Sequence, residues 1–267
     1  ILDISDRLHR PAGIHGALQV DGHDLEFADG TPVRIWGVNA TMPESEALME
    51  AQAEFLVSYG VNLVRIHPLQ DYLGLLTPDL VTGERILDRT KLDELDRWFA
   101  VLKEAGIYVA ISPFWPHVIT EYDGYDENLF SELPSVDEGR STAGFVNFSS
   151  VLQESEWVWV EAFLSHENPY TGTRYVDDPA LAIMEIHNED SIFWNFPLND
   201  LASGSYSNHL MMLQEMWTEW LNERYLDDEA LFAAWGEVGN GRLSEDSLSN
   251  YQMDIYGAWE MEATGPA

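Results

Sequence analysis

The 267-residue chain carries 47 acidic against 13 basic side chains, a formal net charge of −34, with 45% hydrophobic and 12% aromatic residues. A surface of that sign repels phosphate backbones and argues against nucleic acid as a partner; ten tryptophans and strong apolar periodicity argue against a disordered acidic chain. No uninterrupted apolar run reaches the roughly 18 residues of a membrane span, and the absence of cysteine rules out disulfide and thiolate chemistry.

After a short polar lead, residues 17–40 read as a β-hairpin feeding a longer strand. Asp21-Gly22 and Asp29-Gly30 are tight-turn signals with apolar residues alternating between them. VRIWGVN (33–39) is a run of buried-strand type, and Thr41-Met-Pro-Glu44 has capping-box spacing. The helix it opens is expected to bury Leu48, Ala51 and Phe55 and to stop at Gly60. A second strand, NLVRIHP (62–68), precedes a helix capped at Thr90–Asp93 and striped by Leu92, Leu95, Phe99 and Leu102. A third strand, IYVAISPF (107–114), leads through a long polar-aromatic loop to a Trp-rich helix over 150–165. LAIMEIH (181–187) is the fourth strand. Helical patterns follow around 210–220, where Leu210, Leu213, Trp217 and Trp220 form a stripe, then over 227–236 and 244–262.

Near-continuously apolar strands alternating with helices predict an α/β chain with a parallel sheet covered by helices. No G-x-G-x-x-G or P-loop follows any strand, which weakens a nucleotide-binding doubly wound sheet and favours a (β/α)8 TIM barrel. Each strand ends in polar or aromatic residues: Asn39, His67, Trp115 with His117, and Asn188-Glu189. In a barrel those ends form the active face.

Glu189, beside Phe193 and Trp194, would have its pKa raised by aromatic surroundings and could donate a proton to a leaving oxygen; the bland alternative is that Asn-Glu-Asp caps a helix. Arg65 lies inside an apolar run and needs a carboxylate partner, either a structural one or a nucleophile that it keeps ionised. If strand alternation holds through the fourth strand, Ile183, Glu185 and His187 share a face, which makes Glu185 a candidate partner for Arg65. His67 is a substrate contact or a hydrogen-bonded core histidine. Trp115, Trp194 and Phe196 lie beyond strand ends, where aromatic rings stack on sugars, whereas Trp157, Trp159, Trp217 and Trp220 have the helical spacing of core residues. His67, Asp71, His117, His187, Glu189 and Asp190 are metal-ligand types, but no H-x-H or H-E-x-x-H spacing joins them, so no metal site is assigned.

FADGTPVRIWGVN, VNLVRIHPL, LKEAGIYVAIS, NPYTGTRYVDDPALAIMEIHNED and DDEALFAAWG, in this order, resemble the clan A glycoside hydrolases, most nearly the cellulase-like, family 5-type members, over about residues 25–240. The resemblance implies that Glu189 is the general acid/base, that its neighbour Asn188 binds the sugar, and that Arg65 holds the nucleophile. Among the polar and aromatic residues at and beyond the strand ends, Asn39, His67, Trp115, His117, His187 and Trp194 are the candidate sugar contacts. Two departures stand out. His187 occupies a position that is apolar or aromatic in many relatives, and only four strands are legible, whereas the clan's nucleophile is a glutamate on strand seven. The reading is therefore an N-terminal lead and β-hairpin (1–32) followed by the first half of a catalytic barrel (33–267), with long loops at 68–90, 113–149 and 190–206. Its partner would be the C-terminal remainder of the same enzyme.

The implied activity is a retaining O-glycoside hydrolase acting on a β-linked oligo- or polysaccharide, with no cofactor. The alternatives are a non-catalytic carbohydrate-binding barrel and a metal-dependent barrel hydrolase. Starting at Ile1, without a methionine or a signal pattern, the chain is expected to be a mature segment of a secreted protein. With only two lysines and a charge of −34, its surface is of the kind that salt stabilises by screening carboxylate repulsion. The melting temperature should therefore rise between about 0.1 M and about 2 M potassium chloride; a flat or falling series would contradict salt adaptation.

Overall fold

The computed structural model describes residues 3–69, 74–79, 82, 85–115, 117–136, 139–193, 197–236, 246–251 and 253–258. The strands are β1 (Leu18–Asp21), β2 (Asp24–Phe27), β3 (Gly37–Asn39), β4 (Leu63–Ile66), β5 (Leu76–Pro78), β6 (Arg85–Leu87), β7 (Tyr108–Ile111), β8 (Val118–Ile119), β9 (Ser135–Val136), β10 (Gly139–Ser141), β11 (Glu167–Asn168), β12 (Thr173–Arg174) and β13 (Leu181–Met184). The helices are α1 (Glu46–Ser58), α2 (Arg89–Glu104), α3 (Glu127–Glu132), α4 (Ser150–Ser165), α5 (Pro197–Ala202), α6 (Ser207–Asn222) and α7 (Asp228–Trp235). They form two compact units: residues 1–115 with 156–188, and residues 116–155 with 189–267. Among the described residues no helix is long and apolar enough to cross a membrane.

The first unit is an α/β layer around a four-stranded parallel sheet of order β13-β7-β4-β3. Each strand lies beside its successor along the chain. That sequential order has no reversal of the kind that creates the ligand crevice of doubly wound sheets. Helices α1, α2 and α4 make the crossovers that parallel pairing requires. Val64, Ile66, Val109 and Ile111 are buried on the sheet, and Leu92, Leu95, Phe99 and Leu102 of α2 and Trp159 and Phe163 of α4 join the same core. Complete burial of one such side chain stabilises by roughly 1.5–3 kcal/mol. The hairpin β1–β2 turns at Gly22, with a φ of 60°, and its Phe27 stacks on Tyr108 at 5.0 Å.

Several local expectations change. Of residues 33–39 only Gly37–Asn39 enter the parallel sheet; Pro32 bridges to Glu26 and the Val33 amide donates to the Leu25 carbonyl, so this stretch extends the hairpin. Helix α1 starts at Glu46 behind Ser45, not at the Thr41 capping box, and it buries Met49, Ala53 and Val57 while Leu48 and Phe55 are exposed. Its sequence has two apolar faces, and sheet packing selects the one with smaller side chains. Helix α2 is capped by Asp88, whose carboxylate accepts from the Thr90 and Lys91 amides at 2.8 and 2.9 Å. Trp157 and Trp220 are exposed while Trp159 is buried. The described residues within 244–262 form turns and irregular chain rather than a helix.

The long connection after β7 is structured. In the second unit β8, β10 and β9 form an antiparallel sheet, and α3 and α6 pack together with α5. At its centre His209 is fully buried. Its Nδ1 lies 2.8 Å from Glu132, its Nε2 3.0 Å from the Tyr125 hydroxyl, and that hydroxyl 3.2 Å from Ser149.

Burial pushes the His209 pKa below its ordinary 6.5 and outweighs the pull of the Glu132 carboxylate. Burial also pushes Glu132 upward, but hydrogen bonds from Asn208 and His209 overcome it and leave Glu132 below its ordinary range. As pH falls below 6.5, the unfolded chain takes up a proton at His209 that the folded state refuses, and stability drops. The Glu132 contribution, present above the ordinary glutamate value, is lost as pH falls through its lower folded value, so both groups act in the same direction. The melting temperature should therefore fall between about pH 7.5 and about pH 5.5, and His209→Gln should flatten that slope; an unchanged slope in the variant would show that His209 is not responsible.

Candidate functional site

The parallel strands of the first unit deliver a polar cluster to their C-terminal ends. Asn39 of β3 and Arg65 of β4 are register partners, as are Arg65 and Ala110 of β7. Because side chains alternate along a strand, Leu63, Arg65 and His67 share a face with Tyr108, Ala110 and Ser112. In β13 the register shifts between Leu181 and Ile183, and Ile183 then pairs with Ala110, which sets Glu185 on the Arg65 face.

Arg65 ties the strand ends together. Its Nε donates to Glu185 Oε2 at 3.1 Å and its Nη2 makes a short bond to the same oxygen. Nη2 also donates to Asn188 Oδ1 at 2.7 Å, and Nη1 to Asn39 Oδ1 at 3.3 Å. Ser112, fully buried, lies 2.8 Å from His67 Nδ1 and also hydrogen-bonds Glu185. A connected chain thus runs from His67 through Ser112, Glu185 and Arg65 to Asn39 and Asn188. Trp115, 47% exposed, stands with its ring 6.4 Å from that of His67. Burial pushes Glu185 upward, but hydrogen bonds from Arg65 and Ser112 and the Arg65 charge overcome it, so the carboxyl stays below its ordinary range and ionised.

Of the residues singled out in the sequence, the structure brings Asn39, Arg65, His67, Trp115 and Asn188 together, with Glu185 as the arginine's partner. His187 points elsewhere. The strand ends at Met184, alternation does not carry on to His187, and the imidazole turns to Glu156 of α4, 2.8 Å away. His117 is buried within the second unit, 3.4 Å from Ser155, and its carbonyl accepts from Thr142. Glu189 is an exposed residue with a left-handed φ of 51°, and Phe193 is 62% exposed. The next residue, Asp190, accepts from the Gly144 amide within the second unit. Trp194, Phe196 and Asp71 lie outside the described residues. Among the described residues no three acidic or imidazole groups converge as a metal ion requires. Two functional candidates escaped the sequence reading, Ser112 and Glu156. The signal for Glu156 was available, since a carboxylate three and seven residues before the buried Trp159 and Phe163 falls on the inward stripe of α4.

No protein-family model matches the chain, and no curated protein does. Similar solved structures include an endo-1,4-β-mannanase from Rhizomucor miehei, with 16% identity over 78% of this chain and 58% of that one and a TM-score of 0.49. An endo-β-1,4-mannanase from Thermotoga petrophila has 17% identity over 71% and 39%, with a TM-score of 0.41. A family 5 mannosidase from Rhizomucor miehei has 12% identity over 73% and 54%, with a TM-score of 0.46. The chain thus spans 58% of the first structure's length and 39% of the second's. At such identities and scores the likeness assigns no residue a role.

The Arg65–Glu185 pair should govern titration at this site. By nuclear magnetic resonance Glu185 should titrate below the ordinary glutamate range, and in Arg65→Ala its midpoint should move up. An unmoved midpoint would mean that another group holds the carboxylate. The sign is the usual one for a depressed acid: the pair's contribution to stability is present above the ordinary glutamate value and is lost as pH falls through the lower folded one.

Proposed function

We propose that this chain carries the acid/base half of a retaining O-glycoside hydrolase site for a β-linked oligo- or polysaccharide. The observation that supports this most is the Arg65 cluster. A guanidinium at the mouth of four sequentially ordered parallel strands, tied to Asn39, Glu185 and Asn188 with Trp115 nearby, is suited to orienting sugar hydroxyls and holding an anion. The clan A resemblance supplies the roles. Glu189 protonates the glycosidic oxygen as a second carboxylate attacks the anomeric carbon, and then takes a proton from the water that releases the sugar. That second carboxylate sits about 5–5.5 Å away in retaining enzymes. The same resemblance puts the nucleophile on a seventh strand, so we read Glu185 as the structural partner of Arg65 and assign the nucleophile to further strands that complete the sheet into a (β/α)8 barrel. The open edges of β3 and β13 among the described residues suit that completion.

In the enzyme with all its strands, Glu189→Gln should slow hydrolysis of substrates with poor leaving groups by a factor on the order of 10²–10⁴, while activated aryl glycosides, which need little protonation, should lose much less in glycosylation. Equal losses on both, with no rescue by azide, would remove Glu189 from the acid/base role. Carbohydrate binding without turnover in that enzyme would leave a sugar-binding barrel instead, and robust hydrolysis by residues 1–267 alone would overturn the division of carboxylates.

A further inference from the structure

Glu156 and His187 lie outside the chemistry assigned above. Glu156 is a carboxylate on α4 with an 8% exposed side chain, and His187, 19% exposed, approaches it with Nε2 at 2.8 Å from Oε2. The imidazole ring stands 6.0 Å from Phe114, whose ring in turn stands 4.9 Å from that of buried Trp159. A bond between a buried carboxylate and an imidazole in such surroundings is strengthened by the low local dielectric.

The location of this pair matters more than its strength. Residues 185–188 follow the end of β13, and the Glu185 amide, donating to the Ile111 carbonyl at 2.8 Å, carries the ladder one residue past the strand. Beyond it side chains help to orient the backbone. Asn188 is drawn to Arg65 by one amide–guanidinium bond of 2.7 Å, and a single bond of that kind permits pivoting. His187, one residue earlier, is drawn to the helix layer. Adjacent residues anchored to different layers fix the peptide unit between them. The next residue, Glu189, then enters a left-handed φ of 51°, which a non-glycine side chain keeps only where neighbouring structure imposes it.

We propose that the Glu156–His187 pair is a positioning device that holds Asn188 on Arg65 from the helix side. The proposed function enters only through the consequence, namely that a mispositioned Asn188-Glu189 unit would slow turnover.

The test follows the Arg65 guanidinium protons by nitrogen-15 resonance in the 267-residue chain, which needs no substrate. Glu156→Ala, and separately His187→Phe, which keeps volume against Phe114, should speed exchange of the Arg65 Nη2 protons about threefold or more. Glu156→Gln, which retains an acceptor for the imidazole, should stay near the wild-type rate. Asn188→Ala should give the same acceleration, and adding Glu156→Ala to it should contribute nothing further. Unchanged Arg65 exchange in folded Glu156→Ala or His187→Phe, or gains that multiply in the double variant, would overturn the inference. If Glu156→Ala does not fold, His187→Phe and Glu156→Gln decide it. In the hydrolytic enzyme the positioning role predicts a fall in kcat with little change in KM for Glu156→Ala. A wild type without hydrolysis would defeat the proposed function, while the exchange result would still decide the positioning role.

Discussion

A positive charge in the middle of an apolar strand sets the terms for everything above it in the first unit. Arg65 sits in β4 between Val64 and Ile66, both buried, and its guanidinium has five donor hydrogens to satisfy in partly desolvated surroundings. The parallel sheet supplies the partners without further machinery. Register sets Asn39 beside Arg65, the bulge in β13 swings Glu185 onto the same face, and the first residues of the following loop bring Asn188. Breaking such a group by deleting one partner is costly because the remaining charge keeps its desolvation penalty. The cluster therefore gathers chemical groups and also fastens three strand ends to a fourth.

The two halves of that arrangement differ in kind. The sheet and its helices are held by apolar burial, with α2 contributing four fully or nearly buried leucine and phenylalanine side chains and α4 adding Trp159 and Phe163. The strand ends are held by hydrogen bonds among polar groups, with Ser112 joining His67 to Glu185. The first kind tolerates substitution by volume, whereas the second depends on geometry.

The legible parts of this chain were those governed by periodicity. The four strand cores, the stripe of α2 and the extent of α4 follow from period 2 or 3.6, and a charged residue inside an apolar run announces Arg65 and, by alternation, Glu185. Reading failed where periodicity had two solutions or stopped. Helix α1 has apolar residues on two faces, and the choice of Met49, Ala53 and Val57 over Leu48 and Phe55 depends on the space above the sheet. His187 went to Glu156 because the strand had already ended at Met184, and no pattern in LAIMEIHNED marks that point. Ser112 carries no signal at all: a serine after a strand is ordinary until the neighbouring strand places His67 against it. The segment after β7 looked like a loop because its strands are two or three residues long.

The open edges of the four-stranded sheet have a colloidal consequence. Strands β3 and β13 each present a side on which no other described strand pairs, and Trp36, just before β3, is 64% exposed. Such edges invite pairing between copies. In dilute buffer a charge of −34 repels other copies at long range, which opposes such pairing. At about 1 M salt the Debye length shrinks to about 3 Å and that long-range repulsion vanishes. The ionic strength of the buffer therefore sets how far the exposed edges of one copy are shielded from those of another.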